Sequence, residues 1–247
     1  ETPRIQPFYT EADPGAGERA FAAGHVPGAH YVHLERDLSG PKAPEGPRSP
    51  RFTGRHPLPE RAALAALAGR LGIAPGVPVV AYDAQGAPYA ARAWWVLRWL
   101  GHADVAVLDG GVAAWVGAGG ALATSAPPAA AAPPYPAREP AMPTIDAHDL
   151  LHALGSVRVL DARAGERFRG EAEPLDPVAA HIPGASNRFF KDNLAPDGRF
   201  KPAAQLRTEF EALGAASASV VHQCGSGVTG CHNLLAMSWD GLEGSRL

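Results

Sequence analysis

A five-residue motif occurs twice in this chain of 247 residues: His25-Val26-Pro27-Gly28-Ala29 recurs as His181-Ile182-Pro183-Gly184-Ala185. The segments downstream of each copy also repeat in order. A polar, Pro- or Gly-containing loop leads to an Ala/Leu-rich helical stretch, Glu60 to Leu71 in the first half and Ala203 to Leu213 in the second. Each helix runs into a short β-branched segment, Val77 to Tyr82 and Ser219 to His222, then a loop and another helix, Asp83 to Leu100 and Cys224 to Met237. Self-similarity on this scale means a duplicated structural unit. Strands alternating with helices imply parallel βαβ crossovers, so the expected fold class is α/β, with two tandem domains, each a mostly parallel sheet with helices on both faces.

Between the halves, Ala and Pro dominate from Ala123 to Pro143 and apolar periodicity vanishes, which reads as a stiff extended linker. The expected division is therefore 1–122, a linker over 123–143, and 144–247. The halves look unequal. Val157-Arg158-Val159-Leu160-Asp161-Ala162-Arg163 is a strong buried-strand pattern in the second half, and nothing comparable precedes His25. Val105-Ala106-Val107-Leu108-Asp109-Gly110-Gly111 closes the first half, whereas the second stops at Leu247, where its counterpart should begin. A sheet lacking these strands would have open edges, so the expectation is that residues are missing at both ends.

With 19% charged residues and a formal net charge of -3, nothing favours nucleic acid or an anionic membrane as a partner. No apolar run approaches the roughly 20 residues of a membrane helix. The opening Glu1-Thr2-Pro3-Arg4 lacks the basic-then-apolar pattern of a secretory signal. The two cysteines, Cys224 and Cys231, sit about two turns apart on the predicted helix, roughly 10 Å of rise. An undistorted disulfide needs Cα atoms closer than about 7 Å. Free thiols are expected, which suits a reducing cytoplasm.

The chemistry concentrates at Cys224-Gly225-Ser226-Gly227-Val228-Thr229-Gly230, between the strand Val220 to Gln223 and a helix. In a strand, tight turn and helix N-terminus, successive backbone N–H groups converge on the first loop position. The helix dipole adds positive charge there, which favours a thiolate and would equally favour a persulfide. Three glycines in seven residues allow the required backbone. Cys231, inside the helix, reads as a packing residue.

Taken together, the two His-(Val/Ile)-Pro-Gly-Ala motifs, Leu108-Asp109-Gly110-Gly111 through Trp115, Asp161-Ala162-Arg163, Arg167-Phe168-Arg169-Gly170 and the Cys224 loop make the chain resemble the tandem-domain rhodanese and 3-mercaptopyruvate sulfurtransferase family. The resemblance implies two rhodanese-like domains, with 1–122 non-catalytic and 144–247 catalytic. Asp83, in the loop Asp83-Ala84-Gln85-Gly86, stands where the first half would have a nucleophile. It implies double displacement: Cys224 takes sulfur from a small-molecule donor as a persulfide and passes it to a thiophilic acceptor such as cyanide, a thiol or thioredoxin. No metal or organic cofactor is implied.

The resemblance also assigns residues. Cys-Gly-Ser-Gly-Val-Thr looks like the mercaptopyruvate form of the loop, since thiosulfate-preferring relatives often carry basic residues after the cysteine. Gly225, Gly227, Val228 and Thr229 then hold substrate, and Ser226 handles protons with His56 and the acidic Glu35. Arg167 matches the first of two arginines that bind the donor's carboxylate and carbonyl; at the second, within Glu173-Pro174-Leu175-Asp176-Pro177, Leu175 stands instead. Arg169 or Arg188 could substitute, or be partners of nearby acids. Mercaptopyruvate and thiosulfate both remain open as donors. Two competing readings are a non-catalytic sulfur carrier or binding module on the same fold, and a Cys-dependent phosphatase or arsenate reductase. The latter needs an arginine six residues beyond the cysteine, where Gly230 stands.

Overall fold

The computed structural model describes residues 2–8, 13–43, 54–125, 127–128, 130, 132–136, 138–215, 219–239 and 241–247. The chain divides into two compact units, one built from 1–40 and 58–141, the other from 41–57 and 142–247. The second unit thus takes in a segment of the first half of the chain, the one that carries His56.

In the first unit, β1 (Arg4–Phe8), β2 (Ala29–His33), β3 (Val79–Ala81) and β4 (Val105–Val107) form a fully parallel sheet in the order β2-β1-β3-β4. Its helices are α1 (Ala16–Ala23), α2 (Leu34–Asp37), α3 (Arg61–Arg70), α4 (Pro88–Leu100) and α5 (Gly111–Gly117). β1 corrects the expectation that no strand precedes His25. Gln6 and Pro7 disguise it, but Ile5, Gln6 and Pro7 are all buried, as a strand covered on both faces requires. Pro7 is tolerated near the middle of the sheet because β3 pairs only with Arg4 and Ile5, leaving no ladder partner for the missing N–H.

The stretch expected to be a linker lies partly outside the described residues, at 126, 129, 131 and 137. Its described part packs on the first unit: Ala130 N–H donates to the Arg70 carbonyl and Tyr135 N–H to that of Ala65, and the Tyr135 side chain is buried.

In the second unit, β5 (Arg158–Asp161), β6 (Ser186–Asn187) and β7 (Val220–Gln223) pair in parallel in the order β6-β5-β7. α7 (Gly165–Arg169) joins β5 to β6, a 3-10 turn (Phe190–Asn193) and α8 (Ala203–Ala212) join β6 to β7, and α6 (Ala147–Ala153) and α9 (Val228–Trp239) flank the three strands in sequence. Strand alternation sends Leu160 and Val220 into a cluster with Leu206 and Phe210 of α8 and Ala236 and Met237 of α9. Val159 and Val221 point the other way, onto Leu150 of α6. Helices therefore cover both faces. The chain end takes part too: Arg246 bridges Val221 in parallel, accepting from His222 N–H at 2.8 Å and donating to the Val220 carbonyl at 2.9 Å. This bridge lies beside β7 as β4 lies beside β3, at the place where the sequence pattern puts the counterpart of β4.

The repeated histidines do one structural job. His25 Nδ1 lies 2.7 Å from the Phe21 carbonyl and its ring stacks on Phe21 at 3.8 Å; His181 Nδ1 lies 2.7 Å from the Phe168 carbonyl and stacks on Phe168 at 3.8 Å. Each pins a helix end to the turn before a strand. No helix among the described residues is long and apolar enough to cross a membrane.

Candidate active site

β7 delivers Cys224 to the turn that starts α9. The residue is half-buried, and both cysteines are free thiols. Ser226 N–H donates to Cys224 Sγ at 3.5 Å, and Ser226 Oγ lies 3.8 Å from the same sulfur. Burial pushes the thiol pKa up, but hydrogen bonds from the Thr229 hydroxyl, the Ser226 and Gly230 N–H groups and the Ser226 hydroxyl outweigh it, and the net position is below an ordinary thiol. The α9 dipole acts in the same direction. The sulfur is therefore a ready nucleophile held among donors suited to an anion.

Two glycines are required here. Gly227 has φ of +72° at the entrance to α9. A Cβ at Gly225 would come within 2.4 Å of Asp176 Oδ2 and 2.7 Å of Arg55 Nη2, so only glycine lets these side chains lie on the loop. Val228 opens α9 and is buried, and Thr229 comes next. Cys231 is buried with its thiol on the Gly227 carbonyl at 3.0 Å, which fits a packing residue.

The segment 54–57 runs along this loop. Gly54 lies against Ser226, and Arg55 N–H donates to the Gly225 carbonyl at 3.3 Å. His56, next in the chain, is buried. Glu35 belongs to the first unit, half-buried on α2.

The arginines are committed in different ways. Arg167 binds Glu173 through Nε and Nη2, at 2.7 Å for the shortest contact, and Asp176 Oδ2 through Nη2 at 2.9 Å. Burial pushes Glu173 up, but Arg167 and the N–H groups of Asp176 and Leu175 pull it down to about 2, so it is an ionised anchor for Arg167. Arg55 Nε donates to Asp176 Oδ1 at 2.9 Å. Arg163 holds the buried Asp161. Of the two possible substitutes for the missing arginine, Arg169 pairs with Glu171 on the surface and Arg188 is buried against Glu209, Asn193 and the Phe210 ring. Leu175 is exposed. Beside the loop opens a cavity of about 290 Å³, walled by Arg163, Asp176, Ala180, Ile182, Gln223 and Gly225.

Arg55 and Asp176 lie against the Cys224 loop, and sequence reasoning did not single them out. Each sits inside a segment notable for a neighbour, His56 in one case and Leu175 in the other. The available signal was the adjacency of a charge to each.

The loop at the equivalent place in the first unit is filled. Asp83 is buried, and its carboxylate accepts the N–H groups of Gln85 and Ala87 on Oδ1 and of Tyr89 and Ala90 on Oδ2. Burial pushes its pKa up despite these four bonds. The only group of possible metal ligands among the described residues is Asp146, His148 and Asp149, exposed at the start of α6, where Asp146 already caps the helix through Asp149 N–H.

A thiol on a strand–turn–helix cradle of donors, in one of two repeated parallel α/β units, is an arrangement suited to nucleophilic group transfer. Comparison with known proteins makes the class specific. Residues 15–118 match the rhodanese-like domain family. A Pseudomonas aeruginosa protein named "Probable 3-mercaptopyruvate sulfurtransferase" is 48% identical over 95% of this chain and 82% of its own length. The chicken (Gallus gallus) thiosulfate sulfurtransferase is 33% identical over 87% of this chain and 73% of its own. The crystal structure of SseA from Escherichia coli, described as a 3-mercaptopyruvate sulfotransferase with the rhodanese fold, superposes with a TM-score of 0.78 at 28% identity, covering 99% of this chain and 90% of that one. The chain belongs to the tandem-domain rhodanese and 3-mercaptopyruvate sulfurtransferase family. It is a sulfurtransferase, acting between a small-molecule sulfur donor and a thiophilic acceptor.

Proposed function

We propose that Cys224 carries the sulfur as a persulfide and that 3-mercaptopyruvate is the preferred donor. The observation that carries this is the Cys224 sulfur ringed by the Thr229 and Ser226 hydroxyls and by backbone N–H groups, in a loop with no basic side chain of its own. The thiolate attacks the donor's sulfur, and the carbon–sulfur bond breaks toward the pyruvate enolate. The proton carried by the donor's thiol goes to the enolate carbon, giving pyruvate. Ser226 and His56 pass that proton. The acceptor's thiolate or cyanide then attacks the outer sulfur, returns Cys224 to its thiolate and leaves with the sulfur; reduced thioredoxin is one acceptor of this chemistry.

Gly225, Gly227, Val228 and Thr229 line the reacting centre and Arg167 meets the donor's carboxylate, for which a planar guanidinium is well matched. Asp176, pressed on Gly225, disfavours a dianion such as thiosulfate more than a monoanion. The unit holding Cys224 is the catalytic domain. The unit whose cradle is filled by Asp83 is structural, because a carboxylate cannot hold sulfur as a persulfide. A reducing cytoplasm is the compartment we assign to it, and two free thiols suit that assignment.

The test is kcat/KM for the two donors measured in parallel, with Cys224→Ser as control. Mercaptopyruvate is expected to exceed thiosulfate, and Cys224→Ser to lose both activities with an unchanged circular dichroism spectrum. Thiosulfate in the lead removes the donor assignment. Full activity in Cys224→Ser removes the mechanism.

A further inference from the structure

By resemblance Leu175 stands where a second donor-binding arginine is expected, and the structure brings a different arginine to the Cys224 loop from elsewhere in the chain. Arg55 lies 121 positions away from Asp176, yet it spans the loop: its N–H holds the Gly225 carbonyl and its guanidinium rests over Gly225, on Asp176. Arg167 reaches the same carboxylate through the opposite oxygen, Oδ2 against Oδ1 for Arg55. Two guanidinium groups thus converge on one carboxylate, one residue from Cys224. All three side chains are mostly covered, at 17% exposure each, so the arrangement is shielded more than a surface ion pair, though solvent still reaches it.

This is the donor set that an α-keto acid needs: two planar, forked cations spaced for the two oxygens of one carboxylate. Here the protein's own carboxylate, Asp176, occupies both cations. We propose that Arg55 supplies the second cation of the donor-carboxylate clamp, in place of the position held by Leu175, and that Asp176 is an internal competitor which the donor displaces. The inference rests on the reading of mercaptopyruvate as donor. Glu173 remains on Arg167 and keeps it in position when Asp176 leaves. As the Asp176 carboxylate swings off the two guanidinium groups, the donor's carboxylate takes its place on them, so neither cation is left without an anionic partner. Thiosulfate, a dianion with no carboxylate plane, gains less from two forks set in this way.

Two independent measurements on the full-length chain test the clamp. The first uses alkylation of Cys224 by iodoacetate, which bears a carboxylate, relative to neutral iodoacetamide. Arg55→Ala is expected to lower the iodoacetate-to-iodoacetamide rate ratio by about tenfold, the scale of one lost charge-assisted contact, and Arg55→Lys to lower it less. An unchanged ratio overturns the role of Arg55. The second is KM for mercaptopyruvate. It should fall several-fold in Asp176→Asn, which keeps the shape and removes the competing charge, and rise about tenfold in Arg55→Ala with a smaller change in kcat. An unchanged or higher KM in Asp176→Asn overturns the competitor role, since a carboxylate that merely orients the arginines would give that result. If the wild-type enzyme does not turn over mercaptopyruvate yet the alkylation ratio responds to Arg55, the clamp stands and the donor assignment fails.

Discussion

Ser226 meets the Cys224 sulfur twice, through its N–H at 3.5 Å and its hydroxyl at 3.8 Å. One residue therefore supplies both a fixed backbone donor and a rotatable one to the same atom. Together with Thr229 and Gly230 these donors reverse the effect of burial on the thiol.

Removing the side-chain donors should raise the Cys224 pKa. Ser226→Ala and Thr229→Val are each expected to move the acid limb of the alkylation pH profile upward, with the double variant shifted furthest. Thiolate ultraviolet absorbance across the pH range checks this. A double variant titrating at the wild-type pH would show that the backbone groups and the helix dipole suffice.

His222, two residues before Cys224, gives the fold a pH dependence. It is buried on β7 with Nε2 at 3.0 Å from the Met237 sulfur and Nδ1 without a partner, and burial lowers its pKa from 6.5 to about 3. The unfolded chain therefore binds a proton that the folded one refuses between those values. Its contribution to stability is complete above pH 6.5 and is lost as pH falls toward 3, with a slope of at most about 1.4 kcal/mol per unit. Urea unfolding at a series of pH values should show this slope, flattened in His222→Leu. His30 and His102 are lowered by burial as well and act with the same sign, so the comparison of variant with parent is decisive. Equal slopes in both proteins would contradict it.

Asp83 should matter to stability. Asp83→Ala strips the partner from four backbone N–H groups in a closed loop, and a cost of about 2–3 kcal/mol is expected. Asp83→Asn, with a single accepting oxygen, should fall between. Denaturant midpoints give the answer; a change under about 0.5 kcal/mol for the alanine variant would mean that water replaces the carboxylate at no cost.

Much of this fold is legible in the chain because its signals are local. The motif at His25 and His181 needs only a turn and a preceding aromatic, Phe21 or Phe168, to do its work. The strand at Arg158–Asp161 announces itself through consecutive apolar residues that both faces of a covered sheet demand. β1 escapes because Gln6 and Pro7 break that pattern, and only the absence of a β3 partner beyond Ile5 makes Pro7 harmless. Cys224 is readable for the same reason as the motif: strand, glycines and helix lie within a dozen residues.

Sequence was enough to specify the duplicated α/β plan and the placement of a nucleophilic sulfur at the head of a donor-rich turn, since backbone geometry and short-range hydrogen bonds settle both. Which charges surround that sulfur is settled only in the folded chain. Arg55 and Asp176 meet over Gly225 from segments 121 residues apart, and Arg167 is turned onto Glu173 and Asp176 rather than toward open solvent. Ion pairing depends on distance through space, and no spacing along the chain encodes it.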